Sequence, residues 1–174
     1  MHRRHRLSQP AQFLWRCPRC KRRFANANQS HACGRYTLAE HLAGKSPAVI
    51  ALYRRFAKMV RACGPVTVVP EKTRIAFQVR MSFAAVVLKR KWLDGHVVLA
   101  RRLEDQRFRS IQTFSPRNHV HQFRIETPDQ LDDRVSQWLR EAYAVGEQQH
   151  LQSRKGPAPE RRPSNRRSAN CFPL

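Results

Sequence analysis

The sequence predicts an α+β domain, an antiparallel sheet of five to six strands packed with two main helices and preceded by a small zinc-knuckle module. Three observations predict it. Apolar residues recur at helical spacing in two principal stretches, 47–61 and 131–145. Between them, from Val66 to Ile125, the period falls to two and turn residues separate the runs. Ahead of both, three cysteines and one histidine crowd into 17–33. At 174 residues the chain suits one modest domain with appendages.

Residues 1–12 read as a basic arm, and 13–36 as the knuckle. Cys17-Pro18-Arg19-Cys20 is the two-residue separation with which a tight turn aims two sulfurs at one point, and His31-Ala32-Cys33 follows. Zinc takes four N/S ligands in a tetrahedron, so Cys17, Cys20, His31 and Cys33 form a closed, structural set. His31 and Cys33 are two apart, so on a helix they would diverge by about 200°. The second ligand pair is therefore expected on a turn or short strand. His41 is the alternative fourth ligand. A redox pair at Cys17 and Cys20 is the competing reading, but it needs neither His31 nor Cys33 and belongs before a helix in a strand-helix-strand unit. Phe13, Trp15 and Phe24 flank the site; they either stack on exposed bases or form a minimal core, and core is favoured for Phe24.

Thr37 to Glu40 is a capping box for a short helix over 38–43, stopped at Gly44. Ser46 as N-cap with Pro47 in the first turn opens a second helix, ended by Gly64-Pro65. Its apolar face is Val49, Tyr53, Phe56 and Val60, with Arg54, Arg55, Lys58 and Arg61 elsewhere; Cys63 reads as a small buried residue. Strands are expected over 66–69, 73–79, 82–91, 96–103, 108–114 and 120–125. Asp94-Gly95 is read as a hairpin turn. Ile75, Phe77 and Val79 alternate with Arg74, Gln78 and Arg80, which predicts one buried face and one wet, basic face. Thr127-Pro128-Asp129-Gln130 reads as the capped start of the last helix, whose stripe runs from Leu131 to Val145 and ends at Gly146. Asp132, Asp133 and Glu141 are expected to pair with the basic sheet rim. The domain spans 37–148, and 149–174 reads as a basic disordered tail.

Formal charge is +22, and residues 1–36 hold nine Lys and Arg with no Asp or Glu. A polyanion is the natural partner of such a field, and nucleic acid the leading candidate. Arg16, Arg19, Lys21, Arg22, Arg23 and Arg35 around the knuckle, and Lys89, Arg90 and Lys91 protruding past the core edge, are the candidate phosphate contacts. A high-arginine composition without any partner is the bland alternative. No charged segment followed by an apolar run opens the chain, so no secretory leader is expected and the expected location is a reducing cytoplasm. A membrane partner is not expected.

The second functional reading is a small-ligand or protein-partner site on the concave sheet face around Phe77, Phe83 and His121, with the charge incidental. His121 is itself better read as a hydrogen-bonded core histidine. Enzymatic activity is not expected, because a zinc closed by three cysteines and a histidine leaves no position for water. Glu71-Lys72 lacks the spaced carboxylate partner a nuclease would need.

Trp15-Arg16-Cys17-Pro18-Arg19-Cys20, Phe24, the run from Asn28 to Cys33, His41 to Lys45, Gly64-Pro65-Val66 and Glu141-Ala142-Tyr143 together resemble the bacterial family of domain of unknown function 5655, over 13–146. The resemblance implies a bacterial cytoplasmic α+β domain. It implies no reaction and no catalytic residue.

Overall fold

A short two-stranded ribbon opens the fold, β1 (Trp15–Arg16) paired antiparallel with β2 (Arg23–Phe24). The structure is a computed structural model and describes residues 14–28, 31 and 33–152. The expected basic arm, Phe13 and all but the first four residues of the expected tail lie outside the described residues. Helix α1 (Leu38–Leu42) forms on its capping box, in which Thr37 N–H donates to Glu40 Oε2 at 2.6 Å and Glu40 N–H to Thr37 Oγ1 at 3.2 Å. Helix α2 (Pro47–Arg61) begins at Ser46, whose Oγ accepts from Val49 N–H, and its apolar stripe is buried from Val49 to Val60.

Six strands follow: β3 (Thr67–Pro70), β4 (Ile75–Gln78), β5 (Ser82–Leu88), β6 (Leu93–Leu99), β7 (Phe108–Ser115) and β8 (Asn118–Ile125). They form one antiparallel sheet in the order β3-β4-β5-β6-β8-β7. Helix α3 (Asp133–Gly146) then packs beside α2 on one face, and a single turn, α4 (Gln149–Gln152), follows it. The core between helices and sheet is aromatic and branched, with Phe56, Phe77, Phe83, Phe123 and Leu139 fully buried. Each such side chain contributes about 1.5–3 kcal/mol of transfer free energy. Two segments far apart in sequence close the helical layer: Tyr143 Oη donates to Pro65 O at 3.2 Å, and its ring stands where a side chain at Gly64 would be.

Several expectations are corrected by this arrangement. Asp94-Gly95 is not a turn. The chain reverses four residues earlier, where Lys89 N–H donates to Trp92 O at 2.9 Å, and Gly95 lies inside β6 opposite Phe123. A Cβ at Gly95 would sit 2.6 Å from the Phe123 ring, so the glycine makes room for the aromatic rather than bending the chain. The last helix starts later than its sequence signal. Pro128–Gln130 is a 3-10 turn, and Asp132, accepting from Val135 N–H at 3.0 Å, caps α3 itself. Gln149–Gln152 is helical where a structureless tail was expected.

The expected wet face of β4 is also buried. Ala76 is fully buried and Gln78 is 7% exposed, because the face away from the helices is covered as well. One covering element is the N-terminal ribbon, tied down by Gln78 Nε2 donating to Arg23 O at 2.7 Å. Phe77, Phe83 and His121, proposed from sequence as a ligand pocket, are instead buried core beneath α2 and α3. His121 is satisfied at both ring nitrogens: Nε2 accepts from Leu103 N–H, which fixes Nδ1 as the donor to His119 O, both at 3.0 Å. Of the acidic residues expected to pair with the rim, Glu141 in α3 and its N-cap Asp132 do so. Glu141 takes two bonds from Arg101, at 3.0 and 3.1 Å, and Asp132 one from Arg107 at 3.0 Å.

Two outcomes test this packing. Gly95→Ala is expected to destabilise the domain by about 1–3 kcal/mol, because Phe123 must leave its rotamer; a denaturant midpoint equal to that of the wild type would show the ring to be free to move. His96, on the sheet face opposite the helices, is held near pKa 4 against an ordinary 6.5, first by burial and then by Arg74, with Glu71 opposing. A histidine depressed in the folded state stays neutral there while the unfolded chain protonates. Its contribution is therefore complete above pH 6.5 and lost as pH falls toward 4, by up to about 3 kcal/mol. The stability difference between wild type and His96→Gln, measured by denaturant titration from pH 7 to pH 4, is expected to shift by that sign.

Candidate metal centre

The turn between β1 and β2 is built to gather sulfur. Cys17 N–H donates to Arg22 O, and Lys21 N–H to Cys17 O, both at 2.9 Å, while Lys21 adopts a left-handed φ of 62°. This closes a loop with Cys17 and Cys20 on its inner side. Asn28, at φ 54°, lies in the return toward His31 and Cys33, which have no helical or strand geometry. The second pair is therefore not helical, as the spacing implied, but neither the turn nor the short strand expected there is formed at His31 and Cys33. The four ligand atoms all lie within 4.8 Å of one another. Cys17 Sγ and Cys33 Sγ are 3.8 Å apart, and His31 Nε2 is 3.2 Å from both Cys20 Sγ and Cys33 Sγ.

The Cys17–Cys33 separation matches the edge of a tetrahedral ion, and the two sulfur–nitrogen separations are somewhat shorter than its edge. With metal–sulfur bonds of about 2.3 Å, the edge between two sulfurs is about 3.8 Å, and between sulfur and imidazole nitrogen about 3.6 Å. No pair of these cysteines is disulfide-bonded. The electrostatics point the same way. The backbone N–H of Cys20 leads in drawing the Cys17 thiol down, against burial. Burial pushes Cys20 up, but the Arg22 side chain and backbone N–H more than offset it, leaving Cys20 at about 6. Cys33 is pushed up by burial and by the neighbouring sulfurs, since a third negative charge has nowhere to be neutralised among the protein groups alone. A divalent cation bound there would supply that neutralisation.

An aromatic shell encloses the cluster. Phe24, 5% exposed, stacks 4.2 Å from the His31 ring, and half-buried Trp15 meets Phe24 at 5.9 Å and the edge of His31 at 6.2 Å. Of the aromatics the sequence left between base stacking and core, Trp15 and Phe24 therefore pack around the ligands. His41 is not a ligand: its Nε2 donates to Glu71 O at 2.7 Å, in the β3–β4 turn.

The basic candidates divide. Arg16, Arg19, Lys21, Arg23 and Arg35 are exposed around the knuckle, with Arg16 Nε donating to Lys21 O. Lys89, Arg90 and Lys91 are exposed too, but at the far end of β5, about 20 Å along the strand from the Gln78 anchor. Arg22, grouped by sequence with the phosphate contacts, is half-buried with its Nε on Cys20 Sγ, and the sequence did not single out Gln78, which looked like a wet strand position. It also missed a surface groove of about 740 Å³ between α2 and α3, with Arg54, Arg55 and Lys58 on one wall, Asp132 and Asp133 on the other and Met59 and Leu131 among its apolar residues.

The family model described as Domain of unknown function (DUF5655) matches residues 38–146, more than half of the chain. The chain belongs to this family. The matched stretch of this DUF5655 protein begins at α1 and ends with α3, so the family accounts for the sheet and its helices, and the metal cluster lies N-terminal to it. No curated protein and no solved structure matches the chain. Among the described residues no helix is long and apolar enough to cross a membrane.

Purified protein is expected to carry one metal ion per chain by elemental analysis. Cys33→Ser should lose it, and His41→Ala should retain it. Removal by a strong chelator should shift Trp15 emission while the far-ultraviolet dichroism of the helices and large sheet changes little. Metal retained by His31→Ala but lost from His41→Ala would reassign the fourth ligand.

Proposed function

We propose that the chain is a zinc-stabilised nucleic-acid-binding module. The observation that carries this reading is the charge of the N-terminal segment that holds the metal cluster, nine Lys and Arg and no Asp or Glu across residues 1–36 of the sequence. Three sulfurs, one imidazole and no carboxylate suit zinc better than magnesium, calcium or manganese, which prefer oxygen. Cys17, Cys20, Cys33 and His31 would hold the ion. With all four positions filled by protein, it would supply structural closure rather than chemistry.

Arg16, Arg19, Lys21, Arg23 and Arg35 then present their cations from a fixed frame. Contacts of this kind go to phosphates, which position a ligand without reading its sequence. Binding is consequently expected to be weakly sequence-dependent and steeply salt-dependent. Lys89, Arg90 and Lys91 could join only for a strand long enough to cross the sheet. A cytoplasmic location accords with thiols kept reduced for metal. The alternative, a small-ligand or protein-partner site, loses the sheet face and has the groove between α2 and α3 in its favour.

Fluorescence anisotropy with a 5′-labelled single-stranded oligonucleotide tests the proposal. Raising salt from about 50 to 200 mM is expected to weaken binding by about 10²-fold, for roughly five phosphate contacts. The double variant Arg19→Glu, Arg23→Glu should weaken it at every salt concentration. Affinity that is flat with salt and unmoved by the double variant would sink the reading.

A further inference from the structure

Arg22 was grouped by sequence with the phosphate contacts, yet its surroundings are unlike those of the others. It is half-buried, its Nε donates to Cys20 Sγ at 3.4 Å, and its guanidinium lies 5.8 Å from the centre of the Phe24 ring. Its own carbonyl accepts from Cys17 N–H, the bond that closes the turn. Arg22 is thus fastened to both members of the first ligand pair, by backbone to Cys17 and by side chain to Cys20. Phe24 in turn stacks on the ligand His31. The guanidinium, one aromatic ring and two ligands form a continuous chain of contacts.

We propose that Arg22 is a positioning residue of the metal centre, the built-in counter-charge of its sulfurs, rather than a contact for an external polyanion. The inference rests on the reading of the cluster as a zinc site. Three thiolates, a neutral imidazole and a divalent cation sum to one net negative charge, held in a module whose Cys17 is 3% exposed. A guanidinium in contact with one sulfur cancels that charge and fixes the rotamer of the sulfur. Sulfur–cation hydrogen bonds of this kind are charge-assisted, and partners that orient metal ligands typically change metal affinity by about 10–100-fold when removed. The planar, always-charged fork both lies over Phe24 and donates to Cys20, which a lysine ammonium cannot do at once.

The test compares Arg22→Gln, Arg22→Lys and Arg19→Gln with wild type. Arg19 is an exposed cation of the same turn and serves as the charge-matched control. The readouts are zinc affinity in competition with a chromophoric chelator and the thiolate-to-metal charge-transfer band of the cobalt(II)-substituted protein. Far-ultraviolet dichroism confirms that each variant keeps the α+β domain folded. The expected result is a loss of about 10–100-fold in affinity for both Arg22 variants and a shifted cobalt band, with Arg19→Gln within about twofold of wild type. Retention of wild-type affinity and cobalt band by Arg22→Lys would overturn the proposal in favour of a phosphate contact. Equal losses in Arg19→Gln and Arg22→Gln would overturn it in favour of net charge alone. If wild type took up neither zinc nor cobalt, the zinc reading itself would fall, an outcome distinct from the other two.

Discussion

Burial of the central strands on both faces is the constraint on which the rest of the structure depends. An antiparallel sheet ordinarily sets one face on a core and leaves the other wet. Here α2 and α3 cover the face carrying Phe77, Phe83 and Phe123, while Ala76, Ala85 and Gln78 on the reverse face are buried too. A buried amide side chain left without a partner costs about 1–3 kcal/mol, so the bond from Gln78 to the Arg23 carbonyl favours the state in which the N-terminal ribbon is seated. The small module and the larger domain are in this way physically coupled.

Within the module the same logic operates at shorter range. A ribbon of two residues per strand has almost no apolar surface of its own, so its shape is held by convergence of Cys17, Cys20, His31 and Cys33 and by the packing of Trp15 and Phe24 on them. Small domains without a sufficient core commonly rely on a metal for this. The cost is concentrated negative charge, which Arg22 meets at Cys20. The exposed arginines and lysines nearby are then left to act outward, the feature on which the nucleic-acid reading draws.

The helical layer is closed by residues that make room as much as by residues that fill it. Gly64 admits the Tyr143 ring, Gly95 admits Phe123, and Gly146 admits Phe83 and Val79. Two of the segments behind the family resemblance, Gly64-Pro65-Val66 and Glu141-Ala142-Tyr143, meet through the bond from Tyr143 to Pro65. Their pairing is a packing device of the DUF5655 domain and implies nothing about catalysis.

Much of the molecule was legible in the sequence, because its signals are local. The four ligands stand at spacings a turn can bring together, Thr37 and Ser46 announce the helices that begin at the next residue, and a sheet of five to six strands follows from period-two runs. What the sequence could not place was decided by partners distant along the chain. Whether Asp94-Gly95 turns or extends depends on Phe123, nearly thirty residues away; local preference favoured the turn, and aromatic packing won. Whether Gln78 faces water depends on Arg23, more than fifty residues earlier. By itself the sequence determined composition, caps, periods and ligand spacing, which act over a few residues. Only the tertiary structure decided which faces are covered and which charges are committed, because those depend on the close approach of segments whose separation along the chain carries no local signal.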